Sequence, residues 1–158
     1  MLCPIFPSLT LNNRIDPTDL SKNKSIVRKY INDPLVHSKI SLNLFSEVNN
    51  AIKTIEKAGN DQIVILHCVA NYPPDDTDVN LNNIKTLMTL YPNYPIGFSD
   101  HTLGIAIPLA SVALGVCLIE KHFTLDKNME GWDHKVSATK DEMKQIVKNG
   151  NRISEAMG

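Results

Sequence analysis

The sequence predicts an α/β fold built on parallel strands. From residue 46 onward, stretches with apolar residues at helical spacing alternate with short, continuous apolar runs, in the order helix, strand, helix, strand, helix, strand, loop, helix. Such short runs are typical of strands buried on both faces of a parallel sheet, and their alternation with helices requires right-handed crossover connections. The alternation alone does not distinguish a closed eight-stranded barrel from an open doubly wound sheet.

Residues 1–45 are predicted to be irregular, with one helix, and to lie outside the domain formed by residues 46–158. Four prolines interrupt this segment, and each disfavours helix at the residue before it. A partial apolar stripe predicts a helix over residues 19–32, which Asp33-Pro34 ends.

The elements after residue 46 follow from apolar spacing and from residues typical of helix ends. The first helix spans residues 46–60, with Gly59 as its C-terminal stop. Thr139 and Glu142 form a capping box that predicts the start of the last helix. Between them we predict strands at 63–66, 96–99 and 116–119, a loop at 72–76, and helices at 81–88 and 105–114.

Composition excludes several classes of protein. The 158 residues carry a formal net charge of −1, so no excess of lysine or arginine is available to bind nucleic acid or an anionic membrane. No apolar run is long enough to cross a bilayer, and the N-terminus does not resemble a secretory signal. The three cysteines, Cys3, Cys68 and Cys117, are widely spaced. We interpret them as reduced core residues of a cytoplasmic protein.

Polar residues cluster where each predicted strand ends, which is the edge at which parallel α/β folds bind ligands. Because side chains alternate along a strand, Ser99 and His101 share one face of theirs, and Glu120 and His122 share one face of the next. Two imidazoles on adjacent strand ends could hold a divalent metal, with water and substrate oxygens completing the shell. Each histidine could instead be simply a hydrogen-bonded polar residue. Asp133 and His134, in the loop after the third strand, could add a carboxylate or position a substrate hydroxyl. His67 points to the face of its strand opposite to that of Leu66 and Cys68, and we interpret it as structural.

Several sequence blocks resemble the N-acetylneuraminate synthase family over residues 46–158. They are Ile65-Leu66-His67-Cys68 with Tyr72-Pro73, Gly97-Phe98-Ser99-Asp100-His101-Thr102, Ile119-Glu120-Lys121-His122-Phe123-Thr124-Leu125-Asp126, and Gly131-Trp132-Asp133-His134-Lys135. This resemblance implies that the chain is part of a (β/α)₈ TIM barrel, with the three predicted strands as its last three strand–helix units.

The resemblance also implies an activity. Members of this family condense phosphoenolpyruvate with an N-acylated amino sugar, usually N-acetylmannosamine, and release phosphate. A divalent metal, commonly Mn²⁺, is held by two histidines, which correspond to His101 and His122, and it polarises the sugar aldehyde. Together with Asp133 these histidines are the expected catalytic residues. The residues expected to contact substrate are Tyr72, Asn71, Ser99 and Glu120.

Residues 8–45 instead resemble the cap region of monoacylglycerol lipase and lysophospholipase α/β-hydrolases, notably at Asn32-Asp33-Pro34-Leu35-Val36-His37. The segment carries no hydrolase nucleophile motif, and we expect a junction of two unrelated pieces near residues 44–48. Since the synthase family places its phosphoenolpyruvate-binding lysines on the first five strands, we expect an enzyme fragment that is inactive alone. A non-catalytic fragment complemented by a missing N-terminal half, a lipase-related fragment and a family-like homodimer remain as alternatives.

Overall fold

The computed structural model describes residues 10–12, 24–32, 39–41 and 44–158. The chain divides into two compact units, Met1–Gln62 and Ile63–Gly158. Cys3, His37 and much of the segment that resembles a hydrolase cap lie outside the described residues. The predicted division at residue 46 stays a prediction.

Within its described residues, the first unit contains two helices and a small sheet. Strands β1 and β2 pair in antiparallel fashion, Leu11 opposite Ile40, a sheet that the apolar pattern of residues 1–45 did not predict. The second helix ends as expected, because Gly59 adopts a left-handed φ of +87° just after it. The elements are β1 (Thr10–Asn12), α1 (Lys24–Asn32), β2 (Lys39–Ser41) and α2 (Leu44–Lys57).

The second unit is a three-stranded parallel sheet with helices packed against it, so the predicted α/β class with a parallel sheet is confirmed. The strand order is β3-β4-β5, with Cys68 opposite Ser99 and Ser99 opposite Glu120. Helix α4 contacts β3 and β4, and helices α5 and α6 contact each other. The elements are β3 (Ile65–Cys68), α3 (Asp76–Val79), α4 (Asn82–Leu90), β4 (Ile96–Asp100), α5 (Ala106–Ala113), β5 (Ile119–Lys121) and α6 (Lys140–Met157).

Burial on both faces holds for the central strand only. All five residues of β4 are buried, and Phe98 is 1% exposed, as deeply buried as the core residues Ile84 and Val79. The outer strands β3 and β5 are largely half-buried or exposed, and Leu118 is 42% exposed just before β5. The prediction of two buried faces was therefore wrong for β3, where three of the four residues are half-buried or exposed.

Cysteine burial was also predicted wrongly. Cys68 and Cys117 are free thiols, as expected, but both are exposed rather than part of the core. Cys68 ends β3, and Cys117 precedes β5. An apolar neighbourhood in sequence thus did not bring burial, because Cys68 ends one outer strand and Cys117 lies just before the other.

The capping box of the last helix is confirmed. Thr139 Oγ1 accepts a hydrogen bond from the Glu142 N–H at 3.4 Å, and the Thr139 N–H donates to Glu142 Oε2 at 2.9 Å. These bonds satisfy two groups at the N-terminus of α6 that would otherwise lack partners. Among the described residues, no helix combines the length and apolar character needed to cross a membrane.

Candidate functional site

The carboxyl-terminal ends of the three parallel strands bring together residues that are far apart in sequence. His101 directly follows β4, and His122 directly follows β5. Tyr72 lies in the loop after β3. The three rings form a cluster: the centroids of His101 and His122 are 5.1 Å apart, and Tyr72 lies 4.1 Å from His101 and 5.9 Å from His122. We call these three side chains the ring cluster.

A polar pair lies beside the ring cluster on the same face of the sheet. Ser99 Oγ donates a hydrogen bond to Glu120 Oε1 at 2.7 Å. The pair forms because the register places these residues opposite each other on neighbouring strands. Cys68 is opposite Ser99 on the other side, and its Sγ lies 3.9 Å from Nδ1 of His101.

The remaining predicted site residues lie at the margin of this face. Asp133 is exposed, and its carboxylate acts electrostatically on Tyr72, which places its charge near the ring cluster. The amide oxygen of Asn71 accepts a hydrogen bond from the Tyr72 N–H at 3.1 Å, so the Asn71 side chain supports the local backbone. Trp132, in the same loop as Asp133, is 48% exposed.

The electrostatics of the cluster favour the neutral forms of His101 and Tyr72. Burial lowers the pKa of His101, and the neighbouring His122 lowers it further, because two imidazolium ions this close would repel. Burial also raises the pKa of Tyr72, and the negative charges available on Cys68, Asp133 and Glu120 act in the same direction. At neutral pH the cluster therefore offers an imidazole lone pair and a phenol that still carries its proton.

Two imidazoles side by side suit a divalent metal that keeps other coordination positions for water or substrate. Within the part of the chain that the structure describes, no group of three or more His, Cys, Asp or Glu side chains is arranged to hold a metal. The donor set therefore fits a metal held by His101 and His122 with non-protein oxygens, and it does not fit a closed structural site.

His67 differs from the two clustered histidines, in agreement with its structural interpretation. It is buried, its Nε2 lies 2.7 Å from the carbonyl oxygen of Val79, and its ring stacks on Phe98 with centroids 5.7 Å apart. It therefore belongs to the packing between β3, β4 and α3 rather than to the site.

A buried ion pair that was not predicted from the sequence lies directly behind the site. Lys121 Nζ lies 2.6 Å from Asp100 Oδ2, and the two side chains are 1% and 0% exposed. Asp100 Oδ1 also accepts hydrogen bonds from the N–H and the hydroxyl of Thr102, at 2.9 and 2.8 Å, and Lys121 donates to the Thr102 carbonyl at 2.8 Å. The sequence feature that could have indicated this ion pair is the presence of two opposite charges, each next to a site histidine.

The loop after β5 returns to hold the backbone of His122. Ala138 N–H donates to the His122 carbonyl at 2.7 Å, and Thr124 N–H donates to the Ala138 carbonyl at 3.0 Å. His134 Nδ1 lies 2.8 Å from Thr124 Oγ1, so this imidazole stabilises the loop. The loop that carries Asp133 is thus fixed at both ends to the extension of β5.

The family profile and the individual relatives that match this chain agree with one another. A sequence profile of the NeuB family matches residues 30–158. The N,N'-diacetyllegionaminic acid synthase of Campylobacter jejuni is 41% identical over 143 residues, which are 89% of this chain and 42% of that protein. The N-acetylneuraminate-9-phosphate synthase of Drosophila melanogaster is 39% identical over 117 residues, which are 74% of this chain and 31% of that protein.

Solved structures agree with the sequence relatives. The sialic acid synthetase of Leptospira borgpetersenii, solved with citrate, superposes with a TM-score of 0.67 at 41% identity, over 72% of this chain and 39% of that one. The spore coat polysaccharide biosynthesis protein spsE of Bacillus subtilis gives a TM-score of 0.67 at 43% identity, over 71% of this chain and 32% of that one. The chain therefore spans well under half the length of these relatives.

The comparisons correct the interpretation of the N-terminal segment. The profile match begins at residue 30, and a match covering 89% of the chain must extend far into residues 1–45. The similarity to synthases thus continues across the expected junction near residues 44–48. The assignment of residues 8–45 to a hydrolase cap is not supported.

Proposed function

Since the chain belongs to the NeuB family, we propose that residues 63–158 form the metal- and sugar-binding side of a synthase active site. The reaction would join phosphoenolpyruvate to an N-acylated amino sugar, such as N-acetylmannosamine, with release of phosphate. The sheet would then be the last three strands of a (β/α)₈ barrel. The observation that carries the proposal is the 5.1 Å approach of His101 and His122 at the ends of neighbouring parallel strands.

Each side chain of the site has a definite role in this proposal. His101 and His122 would hold the metal, commonly Mn²⁺ in this family, which when bound supplies Lewis-acid polarisation of the sugar aldehyde. Tyr72 keeps its proton at neutral pH because its pKa is raised by burial and by nearby negative charge, so it can donate a hydrogen bond to a substrate oxygen. Asn71 supports this tyrosine through its backbone contact.

The carboxylates would orient the sugar. Glu120 uses one oxygen to accept the Ser99 hydroxyl and has a second oxygen that can accept from a substrate hydroxyl or amide. Asp133 projects from a fixed loop beside Tyr72 and can accept another substrate hydroxyl. Holding the sugar in one orientation lowers the entropic part of the activation barrier. This is the main contribution that we assign to these residues.

Metal binding tests the proposal directly. Titration of the chain with Mn²⁺, followed by electron paramagnetic resonance, should show one site that His101→Ala or His122→Ala each abolishes. His134→Ala is the matched control, because this imidazole contacts Thr124 rather than the ring cluster and should leave Mn²⁺ binding intact. Equal Mn²⁺ affinity in all four proteins would refute the proposed site.

Substrate binding and turnover separate the two halves of the proposal. With diamagnetic Mg²⁺ in place of Mn²⁺, N-acetylmannosamine should shift the NMR signals of Tyr72 and the site histidines, and Glu120→Gln should weaken this effect. The chain alone should release no phosphate from phosphoenolpyruvate, since the family's phosphoenolpyruvate-binding lysines are expected on other strands of the barrel. Multiple turnovers by the isolated chain would contradict the proposal that it supplies only one side of the site.

A further inference from the structure

Two charged side chains lie immediately before the two site histidines and meet behind them. Asp100 precedes His101, Lys121 precedes His122, and these residues are direct partners in the β4–β5 register. Side-chain direction alternates along a strand, so the ion pair lies on the face opposite the ring cluster. The contact of 2.6 Å between Lys121 Nζ and Asp100 Oδ2 therefore joins the two strands one residue before each site histidine.

The ion pair also fixes the turn that follows β4. Thr102 is 1% exposed, and its three hydrogen-bonding groups are all engaged: Asp100 accepts from its N–H and hydroxyl, and Lys121 donates to its carbonyl. A carboxylate that accepts from the N–H two residues on is the contact that forms an Asx-turn. The backbone of His101 is thus held from both sides by the same two charges.

We propose that Asp100 and Lys121 are positioning residues that set the separation of the His101 and His122 rings. The inference rests on the proposed function, because a shared metal needs both rings close to each other. The charges of Asp100 and Lys121 act on the pKa of His101 in opposite directions. We assign their positioning effect to the backbone of the residue that follows each of them. Stability alone would not account for this pair, since well-packed apolar residues often replace a buried ion pair without loss of stability.

The decisive variant is the double substitution Asp100→Asn/Lys121→Met, which removes both charges and leaves no buried charge unpaired. Lys127→Met is the matched control, because Lys127 forms an ion pair with Glu142 that is partly exposed. Lys121→Arg keeps the charge and should preserve the behaviour of the unmodified chain. Thermal unfolding, followed by circular dichroism, shows which of the proteins are folded.

Ring geometry is the readout that a purely structural role would not change. In the unmodified chain, NMR should detect nuclear Overhauser effects among the rings of Tyr72, His101 and His122, given centroid separations of 4.1–5.9 Å. In the double variant these effects should disappear while the melting temperature is retained, and Mn²⁺ affinity should fall about 10–100-fold, as when groups supporting metal-binding histidines are removed. Lys127→Met should change neither.

The outcomes separate this inference from the proposed function. If the double variant keeps the ring contacts, or if it unfolds where Lys121→Arg does not, the pair serves stability and the inference is wrong. If the unmodified chain fails to bind Mn²⁺ but the double variant still loses the ring contacts, positioning holds and the metal site fails. Loss of both ring contacts and Mn²⁺ affinity in a folded double variant supports both.

Discussion

Replacing Gly97 with alanine is expected to destabilise the sheet at the base of the site. Gly97 lies on the central strand β4, on the same face as Ser99 and His101. An added Cβ would collide with Leu66 Cδ2 and would lie 2.9 Å from the carbonyl oxygen of Leu118. The leucine side chain can rotate away, but the carbonyl belongs to the backbone entering β5 and already accepts the Phe98 N–H at 2.9 Å.

The expected loss follows from two opposing effects. Overpacking of a well-filled core typically costs about 1–3 kcal/mol, and contact with backbone favours the upper part of that range. Replacing glycine in a strand recovers about 0.5–1 kcal/mol of backbone entropy. The net loss in the free energy of unfolding should therefore be about 1–2 kcal/mol, with β4 and β5 moved apart and the ring cluster disturbed.

Urea denaturation followed by circular dichroism measures this loss. Gly150→Ala is the matched control, because Gly150 lies within helix α6 and its added Cβ would meet only Val112 Cγ2 at 3.7 Å, an ordinary contact. Alanine in a helix interior should stabilise the chain by about 0.5–1 kcal/mol. If Gly97→Ala is as stable as the unmodified chain, or more stable, the close approach of the strands is not a constraint.

Three further substitutions test the packing and the last helix. Phe98→Ala should cost about 3–5 kcal/mol, because this ring is 1% exposed and leaves a cavity; loss of the folded circular-dichroism signal at 25 °C would agree, and a native melting curve would not. Thr139→Ala should cost about 1 kcal/mol in urea denaturation through loss of the cap, and an unchanged midpoint would contradict it. Burial raises the pKa of Glu142, but hydrogen bonds from Lys127 and Thr139 outweigh burial and hold the pKa below its ordinary value of 4.5. The ionised Glu142 side chain therefore stabilises the fold fully at pH values well above 4.5. This stabilisation is lost as the pH falls through the lower pKa of the folded state. The stability advantage over Glu142→Gln should shrink on acidification, and a constant difference would refute the assignment.

Element type was largely predictable from the sequence, whereas element ends were not. The predicted helix at 105–114 corresponds to α5 at Ala106–Ala113, and the predicted strand at 96–99 to β4 at Ile96–Asp100. The strand predicted at 116–119 is β5 at Ile119–Lys121, displaced toward polar residues. Hydrogen bonding to β4 decides which residues form β5, and the apolar content of the sequence does not indicate which residues these are. The short helix α3 and the β1–β2 pair were not predicted, because neither carries enough periodic residues.

The sequence determined which residues could meet at the site. Side-chain alternation placed Ser99 with His101 and Glu120 with His122, and strand direction placed both histidines at the ligand-binding edge, because these properties depend only on local backbone geometry. Only the tertiary structure decided which side chains of the site pair with each other. The pairing of Asp100 with Lys121, 21 residues apart, and of Ser99 with Glu120 depends on the register between strands, which a single strand does not encode.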